Sequence, residues 1–248
     1  MKTIRDIFII GWMSFYPPFK SSPLSQLVIV GFFGIVPIIF VLVLGGGGDK
    51  LYHTIAGASV SILGFMAINT MLQDIYNDRY IKLREMMVAM PINPMSYAYG
   101  VALSSLFFSF PGVMLFLSYL LFTGKISPFS LLAVLSAILL CWLSISAIGF
   151  TIATYMTRAT PMTIGAASNL LGIVFVFLPP VYYPKEMLGS LSFLGLLVPT
   201  SNAASIIRGF AGLGPRDLQS LLHHWSMLIL SCILFIFISY KKSKWRED

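Results

Sequence analysis

Charged side chains are scarce in this sequence of 248 residues. Asp, Glu, Lys and Arg together make up 10% of the chain, whereas a water-soluble domain of this size carries about 25%. So few charges cannot cover the surface of a soluble fold, which excludes a cytosolic enzyme, a nucleic-acid-binding module and a disordered linker. The scarcity of charge therefore indicates a polytopic membrane protein.

Residues that bind metals or form disulfides are also rare. The two cysteines, Cys141 and Cys232, lie inside apolar runs and are interpreted as small packing residues. The three histidines, His53, His223 and His224, are expected at the outer membrane interface, with no adjacent Cys, His or carboxylate cluster. Because a metal site needs at least a third ligand, no metal site is predicted.

Long apolar runs are abundant instead. Six of them are long enough to cross about 30 Å of hydrocarbon at about 1.5 Å per residue. None alternates with a period of two, which argues against a β-barrel. The sequence therefore predicts an all-α membrane protein with a single transmembrane domain over residues 1–248. The expected spans are residues 24–44, 54–76, 97–123, 128–156, 161–182 and 221–240.

The distribution of basic residues predicts the orientation. With the N-terminus inside, eleven of the sixteen Lys and Arg residues fall in inner segments. Since cytoplasmic loops carry the excess of basic residues, we expect a multi-pass protein of the plasma (inner) membrane with both termini in the cytoplasm.

The segment before the first span predicts a helix on the membrane surface. Residues 1–23 contain an apolar stripe and no small-residue cleavage site, so an interfacial helix is favoured over a signal peptide. The stripe consists of Ile4, Ile7, Phe8, Trp12 and Phe15.

Two connections are longer than a membrane bundle requires. Residues 77–96 begin with charges, continue through apolar residues and stop at two prolines. This pattern predicts a short amphipathic helix at the inner face, either docking a cytoplasmic partner or forming a plain positive-inside loop. Residues 183–220 contain an apolar stretch at 188–198 that is too short to span the membrane and too apolar for a free loop. An outer re-entrant hairpin before the last span is expected there.

These connections, on six spans with an interfacial N-terminal helix, resemble the permease subunits of type-2 ATP-binding-cassette (ABC) exporters. The local motifs are EMMVAMP at residues 85–91 and the Pro184…Pro199…Arg208 stretch before the last span. The resemblance implies that residues 77–96 form the coupling helix that contacts a separate ATP-binding subunit. The residues expected to bind this partner are Asp78, Arg79, Lys82, Arg84, Glu85 and Met86.

The resemblance also implies an assembly. The chain has no phosphate-binding loop, because the glycine run at 45–48 is followed by Asp49 and a membrane span. ATP and Mg²⁺ are therefore expected in the partner, with no cofactor and no catalytic residue in this chain. The expected complex is two permease copies, a homodimer, with two ATP-binding subunits, surrounded by membrane lipids and without nucleic acid.

Polar residues inside apolar spans are candidate substrate contacts, because they are costly in a membrane. Asn69 and Asn169 are expected at one depth, about 10–12 Å from the inner boundary, with Thr70 and Ser168 as weaker candidates. The alternative is a hydrogen bond between helices.

Other polar residues lie near the ends of the spans. Asp74 is expected to pair with Arg158 or a coupling-segment charge, or to face headgroups. The end of the fifth span predicts an outer gate, with an aromatic belt as the alternative. The gate candidates are Pro179, Pro180, Tyr182 and Tyr183.

The function predicted is therefore an exporter permease that moves substrate outward by alternating access. One alternative is an ion-coupled carrier or channel, which predicts carboxylates in the middle of spans. An intramembrane enzyme is the other, and the sequence has neither a GxSG nor an HExxH motif.

Overall fold

The computed structural model describes residues 2–24, 28, 32, 35–45, 48–80, 94–183, 189, 192–214 and 217–243. Over these residues the chain is built from α-helices, with a 3₁₀ turn at Pro128–Ser130 before α5. The α-helices, in chain order, are α1 (Lys2–Ser21), α2 (Val36–Gly45), α3 (Asp49–Tyr80), α4 (Pro94–Phe122), α5 (Leu131–Tyr155), α6 (Pro161–Val176), α7 (Ser192–Leu196), α8 (Pro199–Phe210) and α9 (Leu218–Lys242).

Four segments are long and apolar enough to cross a membrane, which agrees with a helical membrane protein. They are Asp49–Tyr80, Met95–Phe122, Pro128–Tyr155 and Leu218–Lys242, and they match the second, third, fourth and sixth expected spans. Of the first expected span, 24–44, residues 25–27, 29–31 and 33–34 lie outside the described residues, and the described part contains most of α2. A total of six spans stays a prediction.

The long helices run in alternating directions. Lys125, just after α4, lies 3.3 Å from Asp49 at the start of α3. At the opposite end, the Tyr155 hydroxyl donates to the backbone carbonyl of Lys242 over 2.8 Å, so α5 and α9 finish side by side. We refer to these two ends of the bundle as the Asp49 end and the Tyr80 end.

Helix α3 is the centre of the bundle. All of its most apolar 18-residue stretch is buried, whereas only 22% of the corresponding stretch of α9 is buried. Small residues at Ala56, Gly57, Ala58 and Ser59 let neighbouring helices approach closely, as in other helical membrane proteins. The hydroxyl of Ser59 donates to the carbonyl of Ala56 over 2.8 Å, so this buried polar group is satisfied inside its own helix.

The N-terminal segment is helical, as predicted, and it packs on α4 through Phe15 of the apolar stripe and through a residue outside the stripe. Ile10 is 5% exposed and packs on α4, where a Cβ added to Gly100 would lie 2.6 Å from the Ile10 Cβ. Gly11 and Gly100 thus bring the two helices together. The stripe residues Ile4, Phe8 and Trp12 are exposed instead. The interfacial position of α1 stays a prediction.

The fifth expected span is helical for only part of its length. Helix α6 ends at Val176, and turns and bends at 177–183 follow it. Pro179 and Pro180 explain the end, because proline lacks an N–H and disfavours helical geometry in the preceding residue. The sequence prediction of a span over 161–182 is therefore too long as a helix.

The segment between α6 and α9 is folded onto the bundle. Helix α8 begins at Pro199, a residue well suited to the first helical position, and packs against α3, α5 and α9. Of the apolar stretch 188–198, the described part contains only the five-residue α7. The re-entrant hairpin stays a prediction.

Candidate functional site

A cavity of about 640 Å³ opens between α1, α3, α4 and α6. One wall is polar and comes from α3 and α6. The other walls are apolar, with Phe65 and Met66 from α3, Phe108 from α4 and Ile173 from α6. This volume lies within the range of small-molecule binding pockets, about 300–1,000 Å³.

The polar wall brings together the two asparagines singled out from the sequence. Asn69 Nδ2 lies 3.5 Å from Asn169 Oδ1, and both residues line the cavity. Asn69 and Asn169 therefore fit both interpretations from the sequence, because they line the cavity and also contact each other between α3 and α6. Thr70 also lines the cavity, and Ser168 lies directly behind it.

Gln73 joins this cluster and was missed by the sequence analysis. Its Nε2 donates to Asn69 Oδ1 over 2.5 Å and to Ser168 Oγ over 3.2 Å. The signal available was its spacing, because residues at i and i+4 share one helix face. The four amide and hydroxyl side chains form a polar cluster that spans α3 and α6.

Asp74 has a different environment from the one expected. It lines the cavity beside the amides, with Ser104 of α4 as a polar neighbour, and it makes no ion pair with Arg158. Its Oδ2 atom is buried and accepts no hydrogen bond from a described residue. The cavity thus has a carboxylate in its wall.

The close packing of α6 on α3 positions the polar wall. A Cβ added to Gly172 would lie 2.5 Å from Cδ2 of Phe65, so only glycine leaves room for this aromatic ring. The ring in turn forms the cavity wall next to Asn69 and Asn169.

The first predicted partner-binding residues lie inside α3 at the Tyr80 end. The Tyr97 hydroxyl donates to Asp78 Oδ2 over 2.5 Å. Arg79 donates to the carbonyls of Ala153 and Thr154 over 3.1 and 3.3 Å, where it caps the C-terminus of α5. Their contact with a partner stays a prediction. The other predicted contacts, Lys82, Arg84, Glu85 and Met86, lie outside the described residues.

The candidate gate residues pack together at the Asp49 end. Pro179, Pro180 and Tyr182 are buried, and Tyr183 is half-buried. Arg208 of α8, itself 4% exposed, donates to the carbonyl of Pro180 over 3.0 Å and to that of Val181. The turn after α6 is thereby tied to α8. Its role as a gate stays a prediction.

His224 is buried within the protein. Its Nδ1 lies 2.9 Å from Asn202 Oδ1, and Asn202 Nδ2 donates to the carbonyl of Leu196 over 2.7 Å. Helix α8 thus covers the ring, and the position of His224 at the outer interface stays a prediction.

The described residues include no group of three or more His, Cys, Asp and Glu side chains that could hold a metal ion. Cys141 and Cys232 are buried free cysteines in α5 and α9, as expected for packing residues.

No known family model matches this chain, and no curated protein matches it. The cavity combines apolar and aromatic walls with a cluster of amides and one carboxyl group.

Proposed function

We propose that this chain is the membrane-spanning permease subunit of an ABC-type exporter. In this proposal, a separate subunit binds and hydrolyses ATP with Mg²⁺, and the permease moves its substrate outward by alternating access. The observation that carries the proposal is the cavity between α1, α3, α4 and α6 with its polar wall at Asn69 and Asn169.

The cavity suits transport because its lining is mixed. Apolar side chains accommodate the body of a lipophilic molecule, and a few convergent polar groups orient it. The polar residues lie on two helices rather than one. A tilt of α6 relative to α3 would therefore change the contacts offered to a bound substrate.

A second copy of the chain would complete the cavity. On α6, Asn169, Leu170 and Ile173 are exposed, and Asn169 and Ile173 also line the cavity. The exposed face of α6 therefore borders the open side of the cavity. In the proposed homodimer, a two-fold axis along this face would place two such cavities against each other.

Coupling to ATP follows from differential binding. A ligand shifts a conformational equilibrium only by binding its two states with different affinity. In the proposed complex, ATP favours the closed arrangement of the ATP-binding subunits, and residues 77–96 transmit this closure to α3 and α4, which flank that segment.

The test is charge reversal in the proposed coupling segment. The Arg84→Glu, Glu85→Lys double variant is expected to lower co-purification of a co-expressed ABC ATP-binding subunit, or to uncouple its ATP hydrolysis, while the bundle stays folded. The matched control is Lys50→Glu at the opposite end, which is expected to leave both unchanged. Wild-type co-purification and wild-type substrate-stimulated hydrolysis in the double variant would contradict the docking role.

An ion-coupled carrier is the second candidate, and Asp74 favours it. A carboxylate in a membrane cavity is a common site for a coupling proton or cation. Transport driven by an ion gradient in vesicles without ATP would support this alternative, and transport that requires ATP and the second subunit would exclude it.

A further inference from the structure

Among the described residues that line the cavity, Asp74 carries the only charge. It lies on α3 one residue beyond Gln73, which reaches Asn69 and Ser168. The charge is therefore placed at the edge of the amide cluster, within reach of any molecule that the amides contact.

The neighbouring charges at this end are engaged elsewhere. Asp78, one helical turn further along α3, accepts the Tyr97 hydroxyl, and Arg79 is bound to the backbone carbonyls of Ala153 and Thr154. No ion pair between described residues involves Asp74. The carboxyl group in the cavity wall therefore has no cationic partner within the described part of the chain.

Such a group is costly in an apolar site unless it is paired. Asp74 Oδ2 is buried and accepts no hydrogen bond from a described residue, and a buried polar atom without a partner loses its hydration without compensation. A ligand that brings a positively charged N–H donor would supply both missing interactions at once. A neutral donor would supply the hydrogen bond without the charge, and an anion would supply neither.

The other walls determine the rest of the ligand. Phe65 and Phe108 present aromatic surface to the cavity, and Ile173 presents aliphatic surface. Aromatic faces attract apolar groups and also favour a nearby cation. The cavity is therefore complementary to an apolar body with a single cationic group.

We propose that the cavity binds lipophilic amines, with the ammonium group of the ligand held by the carboxylate of Asp74 and its apolar body against Phe65 and Phe108. This inference names the substrate class of the proposed exporter, and it rests on that function for the claim that the bound amine is cargo. Binding itself requires no ATP and no second subunit.

The experiment compares a probe that carries a positive charge with a neutral derivative of it. One is 1,12-diaminododecane with a dansyl group on one nitrogen, and the other is the same molecule with its free amine acetylated. The purified full chain is placed in phosphatidylcholine nanodiscs, and saturable dansyl fluorescence is measured against empty nanodiscs. The wild-type chain is expected to bind the amine about 10- to 100-fold more tightly than the acetylated probe, as for a charge-assisted hydrogen bond.

Variants assign this preference to one residue. Asp74→Asn is expected to bind the two probes with equal affinity, whereas Asp49→Asn, which removes an exposed carboxylate at the opposite end of α3, is expected to keep the preference. Equal affinity of the wild-type chain for both probes would overturn the inference, even if Asp74→Asn did not fold. A preference that persists in folded Asp74→Asn would overturn it as well.

The outcome is independent of the test of the proposed function. A chain that assembles with an ATP-binding subunit but binds both probes equally remains an exporter permease without amine selectivity. A chain that prefers the amine but does not assemble with such a subunit has the binding site without the proposed function.

Discussion

At the scale of single residues, the amides of Asn69 and Asn169 show how much a polar residue in an apolar run can reveal. Both were identified from the sequence because an intramembrane amide is costly, and counting at about 1.5 Å per residue placed them at one depth. The structure brings their side chains within 3.5 Å. Gln73 and Asp74 were not assigned to this site. Near the end of a span a polar residue costs little free energy, and the direction of its side chain depends on tertiary packing.

Replacing either asparagine by leucine tests its contact with substrate. Asn69→Leu and Asn169→Leu are expected to lower ATP-dependent uptake of a dansyl-labelled alkylamine into inside-out vesicles by about 2- to 10-fold, the equivalent of one hydrogen bond. Assembly with the ATP-binding subunit is expected to persist, since such bonds between membrane helices contribute only about 0.6 kcal/mol on average.

The control is Gln219→Leu, which also replaces an amide by leucine, at an exposed position of α9. It is expected to leave uptake unchanged. Unaltered uptake in both cavity variants would remove these asparagines from the substrate path.

Arg208 is the residue on which the fold of the Asp49 end most depends. Its guanidinium holds two backbone carbonyls of the turn after α6, and Arg208→Met would leave both buried carbonyls without donors. The expected cost is about 2–4 kcal/mol, seen as a melting temperature lower by about 5–15 °C.

Lysine at the same position is expected to restore only part of this stability, because it lacks the planar fork of arginine. The matched control is Arg158→Met at an exposed position, expected to change stability by less than about 0.5 kcal/mol. Equal melting temperatures for Arg208→Met and Arg158→Met would show that the two carbonyl contacts contribute nothing.

At the scale of elements, hydropathy predicted the long helices well, because an apolar run of about 20 residues has few alternatives to a helix in a membrane. The end of α6 and the buried α8 were harder to predict. Pro179 and Pro180 end the helix within a run that is still apolar. Hydropathy alone therefore does not show where the helix ends. The partly polar α8 is buried because Asn202 and Arg208 find partners that only the tertiary fold provides.

The packing of α3 on the turn after α6 can be tested with a single methyl group. A Cβ added to Gly57 would lie 2.2 Å from the Val181 carbonyl oxygen, so Gly57→Ala is expected to force the backbone apart and destabilise the chain by about 1–3 kcal/mol.

Gly165→Ala is the matched control, because nothing lies within 4 Å of the added Cβ. In the exposed interior of α6 it is expected to stabilise the chain by about 0.5–1 kcal/mol. Thermal unfolding in detergent gives both values. The close approach would be contradicted if the two variants melted at the same temperature.

At the scale of the whole molecule, the scarcity of charge indicated a membrane protein, and the long apolar helices agree with it. The few charged residues have several different roles in the structure. Arg79 and Arg208 stabilise backbone carbonyls, and Asp74 lines the cavity. The sequence could not assign these roles, because each depends on an element distant in the chain. Assembly with other subunits and the orientation in the membrane remain predictions from charge distribution and resemblance.

The central claim is that this chain is one half of the membrane part of an ATP-driven complex. Its most direct test is the native mass of the complex purified from cells that co-express the chain with an ABC ATP-binding subunit. We predict a mass equal to two copies of each subunit, with ATP hydrolysis that is lost when the phosphate-binding lysine of the second subunit is replaced. A chain that purifies without that subunit, and transports without ATP, would contradict the account.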